Sequence, residues 1–251
     1  MAARPPRQRG RRPDVGVGEI GEQVLQAAVP LADTGHKIVR CHGRKVTGSS
    51  GNFNTVSTFR FHGGRHCLNL IATVSRRRTE RVERLATPAD LGRWFAEAGL
   101  VPPDSPALPR TPAVGEPELR QAHVLREAVY ELFTASRRER EIPPEALAVV
   151  NGWAARPGPA ERLEAGSGGR LRRVRGEATA ETLLAEIARD AVDLLGGPLA
   201  ARVRECGLEP CTLLFLDTSR SGHRRWCSMD GCGARAKMAA YRARRAAREG
   251  P

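Results

Sequence analysis

The stretch from Cys206 to Arg248 reads CGLEPCTLLFLDTSRSGHRRWCSMDGCGARAKMAAYRARRAAR and holds four of the six cysteines in the chain. These cysteines form two pairs, Cys206/Cys211 and Cys227/Cys232, and each pair has the spacing C-x4-C. A short turn between the members of such a pair can bring both thiolates onto one tetrahedral Zn²⁺. A region of about 45 residues buries too little apolar surface to fold alone, so a metal can supply the missing stability. We therefore predict one structural zinc ion bound by the four cysteines.

The residues between and after the two pairs predict two strands and a helix. The run 212–216 (TLLFL) suits a strand, 217–222 (DTSRSG) contains turn-forming residues, and 223–226 (HRRW) can return as the second strand. Asp230 can cap a helix that begins near Gly231 and Cys232. This order of turn, hairpin and helix outlines a treble-clef finger. The alternative is that the four cysteines are unrelated reduced thiols. Two pairs with the same spacing argue against that alternative.

The residues of this stretch resemble the CGNR zinc finger, which stands at the C-terminus of a family of bacterial proteins. The family motif F-x-D-x-S…R-R-W-C-x-x-x-x-C-G-N-R-x-K is matched at Phe215, Asp217, Ser219, Arg224, Arg225, Trp226, Cys227, Cys232, Gly233, Arg235 and Lys237. The Asn of the motif is Ala234 here. Because that Asn is not a cysteine ligand, the metal site should survive the change. Any role of the Asn at a turn or at a base edge is lost.

A second resemblance covers residues 58–200, which are similar to the ABATE domain that precedes the finger in the same family. The matching segments lie at 59–74, 87–94 and 125–129, in the family's order. The resemblance implies a mainly helical domain joined to a finger in a stress-induced transcriptional regulator. It leaves open whether the helical domain binds a small-molecule ligand or forms a homodimer.

Periodicity in this middle region predicts several helices. Residues 67–74 form a buried, helical apolar stretch, and a Thr-Pro-Ala-Asp start at Thr87 opens a helix that ends at Gly99. Further helices are predicted from 119 to about 140, from 147 onward and from 179 to 195. Residues 59–61 suggest a strand, and 162–174 suggest an exposed β-hairpin around a Gly-rich turn. The fold class is therefore mainly α: a helical N-terminal domain with a short β-hairpin, and a small ββα treble-clef-like zinc finger at the C-terminus.

Three regions follow from this organisation. Residues 1–57 are predicted to be a poorly ordered basic extension, 58–200 the ABATE-like helical domain, and 201–251 the CGNR-type finger with a basic terminal helix. A G-x-G-x-x-G pattern at 16–21 lacks the buried strand that a dinucleotide site needs before it. The sequence does not decide whether residues 1–57 are a genuine part of the protein.

Positive charge is concentrated at the end of the chain. The whole chain has a formal charge of +13, and residues 218–248 hold nine Arg or Lys against one acid. Such local charge on a small module points to a polyanionic partner. Alanines at 236, 239, 240, 243, 246 and 247 share one helical stripe, which we expect to pack on the zinc hairpin. The residues predicted to contact nucleic acid are Arg224, Arg225, Arg235, Lys237, Arg242, Arg244, Arg245 and Arg248.

The sequence thus predicts a zinc-dependent DNA-binding protein that regulates transcription. The alternative is a zinc-stabilised module whose basic helix binds an acidic protein. A third hypothesis, a small-molecule pocket with enzymatic activity, has no H-E-x-x-H, G-x-S-x-G or P-loop lysine to support it, and we predict no enzyme. No apolar run is long enough for a membrane span and no secretory signal is evident, so a cytoplasmic location is expected. His62, His66 and Cys67 could suggest a second metal site, but core or surface roles are favoured.

Overall fold

The computed structural model describes residues 59–101 and 112–249. The predicted basic extension and the G-x-G-x-x-G pattern lie outside these residues. The helices and strands, in chain order, are α1 (His66–Ile71), β1 (Val74–Ser75), β2 (Val82–Glu83), α2 (Pro88–Glu97), α3 (Glu116–Arg137), α4 (Pro144–Ala154), β3 (Glu161–Ala165), β4 (Leu171–Arg175), α5 (Ala180–Gly196), β5 (Val203–Glu205), β6 (Leu214–Leu216) and α6 (Ala234–Glu249).

Helix α2 begins and ends where the sequence predicts. The hydroxyl of Thr87 accepts a hydrogen bond from the amide of Asp90 (3.2 Å), and the Asp90 carboxylate accepts one from the amide of Thr87 (3.0 Å). Pro88 occupies the first helical position, where its missing N–H costs nothing. Gly99 follows the helix with φ +72°, a left-handed conformation that glycine adopts without strain.

The helical core forms where α3, α4 and α5 pack against one another, with α1 against α3 and α5, and α2 against α3. Four large aromatic side chains are almost completely buried in it: Trp94, Phe95, Phe133 and Trp153. Strands β3 and β4 pair antiparallel from Glu161↔Arg175 to Ala165↔Leu171, and most of their side chains are exposed. The predicted mainly helical fold class is confirmed, and the exposed hairpin is found where it was predicted.

A buried network of ion pairs fixes α3 to the β1–β2 hairpin. Arg126 is 1% exposed, and its guanidinium donates to both carboxylate oxygens of Glu83 at 2.7 Å. Glu127 accepts from Arg126 at 2.9 Å and from Arg81 at 3.1 Å, and it also pairs with Arg77. Burial alone would raise the pKa of Glu127, but the three arginines, Arg126 first, lower it to about 2.

The finger packs directly onto the helical region. The amide of Leu216 in β6 donates to the carbonyl of Gly63 at 2.8 Å, just before α1. The amide of Arg77 donates to the hydroxyl of Thr212 at 3.2 Å. Ala72, at the end of α1, belongs to the same buried cluster as Leu213 and the ligand cysteines. The two regions therefore share a core, while the predicted boundary between residues 200 and 201 stays a prediction.

Two predicted strands are not present. Residues 59–61 have no strand conformation, and 223–226 form an irregular segment instead of the second strand of the finger. Strand β6 pairs instead with β5, in the register Val203↔Leu216 to Glu205↔Leu214. The finger still has two strands and a helix, but its first strand comes before Cys206.

In the described parts of the chain, no helix is both long enough and apolar enough to span a membrane.

The ion-pair network predicts that stability depends on pH through Glu127. Its pKa is below the unfolded value of 4.5, so its contribution is fully present above about pH 5 and is lost as the pH falls towards 2. At pH 6, Glu127→Gln should lower the free energy of unfolding by about 3 kcal/mol, and the difference should shrink below about 1 kcal/mol near pH 2.5. Urea unfolding followed by circular dichroism measures both values. Glu145→Gln, at an exposed position, is the control and should change stability by less than about 0.5 kcal/mol at either pH. A Glu127→Gln difference that does not vary with pH would contradict the assignment.

Candidate metal centre

The four cysteines come together from two segments of the chain, 206–211 and 227–232. Cys206 directly follows β5, and its amide donates to the carbonyl of Leu213 at 2.9 Å. The amide of Cys211 donates to the carbonyl of Leu208 at 2.7 Å, which closes a tight turn between the first two cysteines. Cys232 lies in a wide helical turn, Met229–Gly233, that leads into α6.

The sulfur atoms have the spacing of a tetrahedral site. All four Sγ atoms lie within 4.8 Å of one another, with Cys211 and Cys227 separated by 4.0 Å and Cys227 and Cys232 by 3.5 Å. Zn–S bonds of about 2.3 Å in a tetrahedron place the sulfur atoms about 3.8 Å apart. The donor set and the spacing therefore fit Zn²⁺. Within the described ranges no other group of His, Cys, Asp or Glu has such geometry, so His62, His66 and Cys67 do not form a second site.

The sulfur atoms also share hydrogen bonds that a cation would replace. The thiols of Cys211 and Cys227 donate to the sulfur of Cys206, which lowers the pKa of Cys206 and raises those of its two donors, that of Cys211 to about 11. Backbone amides of Leu208 and Cys227 also donate to the Cys206 sulfur. Four thiolates at this distance would repel one another strongly. A divalent cation is needed to hold four.

Trp226 packs against the cluster and completes a small core. It lies with Leu208 beside the buried Phe215 and the cysteines. A Cβ atom on Gly233 would come within 3.2 Å of the Trp226 ring, and one on Gly207 within 3.4 Å of it. Glycine at these positions lets the backbone approach both sides of the indole. The motif glycine Gly233 therefore serves packing around Trp226.

Asp217 organises the loop that returns the chain to the second cysteine pair, a role that the sequence analysis did not identify. Its buried carboxylate accepts from the amides of Ser219 and Arg224, each at 2.9 Å. The guanidinium of Arg202 donates to the carbonyls of Asp217 and Ser219 on the other side of the loop. The Asp-Thr-Ser sequence was a signal for this turn, but nothing indicated its long-range partners.

The cap of the wide turn also differs from the prediction. Ser228, not Asp230, is the capping residue: its hydroxyl accepts from the amide of Gly231 at 3.0 Å. Asp230 is exposed. The turn begins two residues earlier than expected because it is wider than an α-helical turn.

The two arginines before Trp226 lie in different environments. Arg224 donates to the carbonyls of Trp226, at 2.8 Å, and Cys227, and its guanidinium lies 4.6 Å from the centre of the Phe215 ring. Arg225 is exposed and lies over the Trp226 ring at 4.8 Å. Arg224 thus stabilises the finger from within, whereas Arg225 remains accessible.

Helix α6 extends away from the finger instead of lying on it. From Ala234 to Arg248 every side chain is exposed except Ala236, which is half-buried. The prediction that the alanine stripe packs on the zinc hairpin is therefore wrong: short methyl side chains offer little contact area, and the small finger core already contains Trp226. All six predicted cations of the helix are exposed to solvent: Arg235, Lys237, Arg242, Arg244, Arg245 and Arg248.

The metal centre predicts a clear effect of removing one ligand. Cys227→Ser should reduce bound zinc from one ion per chain to none and unfold the finger, because metal binding energy is folding energy here. Helices α3 to α5 should keep their circular dichroism signal. Zinc is measured by atomic emission after purification without chelator. Cys67→Ser, which removes a buried cysteine outside the cluster, is the matched control and should keep one zinc per chain. Full zinc content in Cys227→Ser would exclude the proposed ligand set.

Comparison with known families agrees with this geometry. Residues 64–198 match the ABATE family model, described as “Putative stress-induced transcription regulator”, and residues 202–245 match the CGNR zinc finger. Neither model describes an enzyme family. No curated protein matches the chain. The finger model covers all four clustered cysteines, so the centre is a structural zinc site. Since the first model alone covers more than half of the chain, the protein belongs to the ABATE family and carries a C-terminal CGNR zinc finger.

Proposed function

We propose that this protein is a zinc-dependent DNA-binding regulator of transcription in which the finger holds α6 against DNA. The observation that carries the proposal is the exposed basic stretch of this helix: six cations and no Asp or Glu lie between Ala234 and Arg248. A helix that only needed solubility would alternate acids with bases for i,i+4 pairing. Charge of one sign on a rigid element instead favours a polyanion.

The dimensions of α6 suit a DNA groove. Its 16 residues give a length of about 24 Å, and the major groove of B-DNA admits one α-helix. At about 100° per residue the cations spread over half of the circumference, and the alanines occupy the rest. The alanine side adds little bulk to the helix, and the long cationic side chains on the other half can reach phosphates.

The proposed interface consists of seven of the eight predicted residues: Arg225, Arg235, Lys237, Arg242, Arg244, Arg245 and Arg248. Arg224 is left out because its guanidinium is engaged with carbonyl groups inside the finger. Zinc contributes by fixing the start of α6, since Cys232 lies two residues before the helix. A reducing compartment keeps such thiols available, and this function accordingly places the protein in the cytoplasm.

The alternative remains an acidic protein partner. Met238 and Tyr241 are half exposed among the cations of α6 (50% and 54%), and a protein partner could cover them. The groove that Met238 lines is bordered by two carboxylates, Glu209 and Asp230. These acids disfavour a second acidic surface at that side of the helix. DNA phosphates can still contact cations of α6 that do not line this groove, such as Lys237, Arg244 and Arg248.

The proposal predicts salt-dependent DNA binding. If four or five cations reach phosphates, log K should fall with log salt concentration at a slope of about −4 to −5. Replacing Arg244 and Arg248 together by Ala should flatten this slope by nearly two units without changing zinc content. Fluorescence anisotropy with a labelled duplex at several salt concentrations measures the slope.

The matched control removes the same charge elsewhere. Arg172 and Arg173 lie on the exposed β3–β4 hairpin, and their double replacement by Ala should leave the slope unchanged. Equal flattening in both double variants would mean that only net charge matters. Negligible DNA affinity of the wild-type protein at low salt would favour the protein partner instead.

A further inference from the structure

A second basic site lies between the finger and the helical region. A cavity of about 250 Å³ there is lined by four arginines, Arg60, Arg76, Arg84 and Arg235. Its lining includes one carboxylate, Glu80, and the zinc ligand Cys211. Four guanidinium groups around one small cavity repel one another unless an anion offsets their charge.

The four arginines come from three separate segments. Arg60 precedes α1, Arg76 and Arg84 lie at the two ends of the β1–β2 hairpin, and Arg235 stands in the first turn of α6. Arg76 has φ +55°, a left-handed conformation that is unfavourable for any residue with a Cβ atom.

The acids near the cavity do not neutralise it. Glu80 is 76% exposed and lies 3.6 Å from Arg76. Across the described ranges, 59–101 and 112–249, neither Arg60 nor Arg235 forms an ion pair with a carboxylate. Glu205, on the nearby strand β5, already pairs with Arg78 and Arg137. Glu80 is therefore the one carboxylate among the residues that line the cavity.

The zinc centre is the remaining source of negative charge. A zinc ion with four thiolates is a net dianion, and its charge has to be counted. Three of the four cysteines are buried, and of the four only Cys211 lines the cavity. Its sulfur accepts a hydrogen bond from the amide of Leu213, and that of Cys206 accepts two from other backbone amides. The formal charge of the lining, four arginines against Glu80 and the dianionic zinc centre, is +1.

We propose that this cavity is a phosphate-binding site that bridges the helical region and the finger. Guanidinium groups bind multi-oxygen anions through paired hydrogen bonds, and several of them arriving from different segments match a tetrahedral anion better than a planar carboxylate. Val82 and Leu208 supply an apolar wall for the organic part of a phosphate ester. A bound phosphate joins Arg60 and the hairpin arginines to Arg235 at the start of α6.

Two sources can supply such a phosphate: a free phosphorylated molecule, or the backbone of DNA bound by α6. Only the second source rests on the proposed function. The shared chemistry is tested first with pyrophosphate as the probe, by isothermal titration of the zinc-loaded full chain at constant ionic strength. The expected result is one saturable site that inorganic phosphate displaces and chloride does not.

The variants locate the site. Arg60→Gln and Arg235→Gln should each weaken pyrophosphate binding by about tenfold, the effect of losing a charged hydrogen-bond donor. Arg172→Gln, on the exposed hairpin, removes the same charge away from the cavity and should change nothing. Zinc content and melting temperature of each variant show that the fold is intact. Pyrophosphate binding that both cavity variants leave unchanged would overturn the proposal.

The DNA titration separates the two sources. If a DNA phosphate occupies the cavity, Arg60→Gln should reduce the magnitude of the salt slope by about one unit. If a free phosphorylated molecule occupies it, the slope should stay the same while pyrophosphate binding weakens. The absence of saturable pyrophosphate binding, together with an unchanged slope, would refute the site. Loss of DNA binding alone would not refute the site, because pyrophosphate binding is measured in the absence of DNA.

Discussion

Convergence of four sulfur atoms on one tetrahedral position is the constraint on which the finger depends. The two C-x4-C pairs are separated by a loop that has no regular structure after β6, and its backbone is held by the carboxylate of Asp217 and the guanidinium of Arg202. Four thiolates at these distances repel one another strongly unless a divalent cation lies between them. The metal thus supplies the attraction that a larger core would supply in a bigger domain. The start of α6, and with it the direction of the basic helix, follows from the position of Cys232.

The zinc centre and the helical region depend on each other. Ala72 packs into the finger core, the carbonyl of Gly63 accepts from β6, and Thr212 accepts from the amide of Arg77. Arg77 in turn belongs to the buried ion-pair network around Arg126. A change in either region can therefore alter the other through a short chain of contacts. The arginine-lined cavity lies on this same boundary, where a bound anion would contact both regions at once.

Local signals in the sequence were sufficient for the metal ligands and for most helices, although the helix predicted over 67–74 ends at Ile71 and Val74 lies in β1. Thr87 and Asp90 cap a helix through atoms that are close in sequence, and cysteine spacing reports a site directly. Contacts between residues far apart in the sequence could not be predicted. The segment 223–226 looked like the partner of β6, but Arg224 is held by Asp217 and by the carbonyls after Trp226, and 203–205 takes its place. The alanine stripe of α6 suggested packing, yet alanine patterns do not show whether a partner surface exists. The arginine cavity could not be predicted, because its four arginines are brought together only by the tertiary fold.

Hydrogen exchange before and after zinc removal tests the central claim, that the metal holds the finger folded on the helical region. The account predicts that chelation removes protection from the amides of Cys206, Leu216 and Gly233, and weakens it at the end of α1 near Ala72. Amides in the middle of α4 and α5 should keep their protection, because their packing does not involve the cysteines. Unchanged protection of Cys206 and Leu216 in fully zinc-free protein would contradict the account.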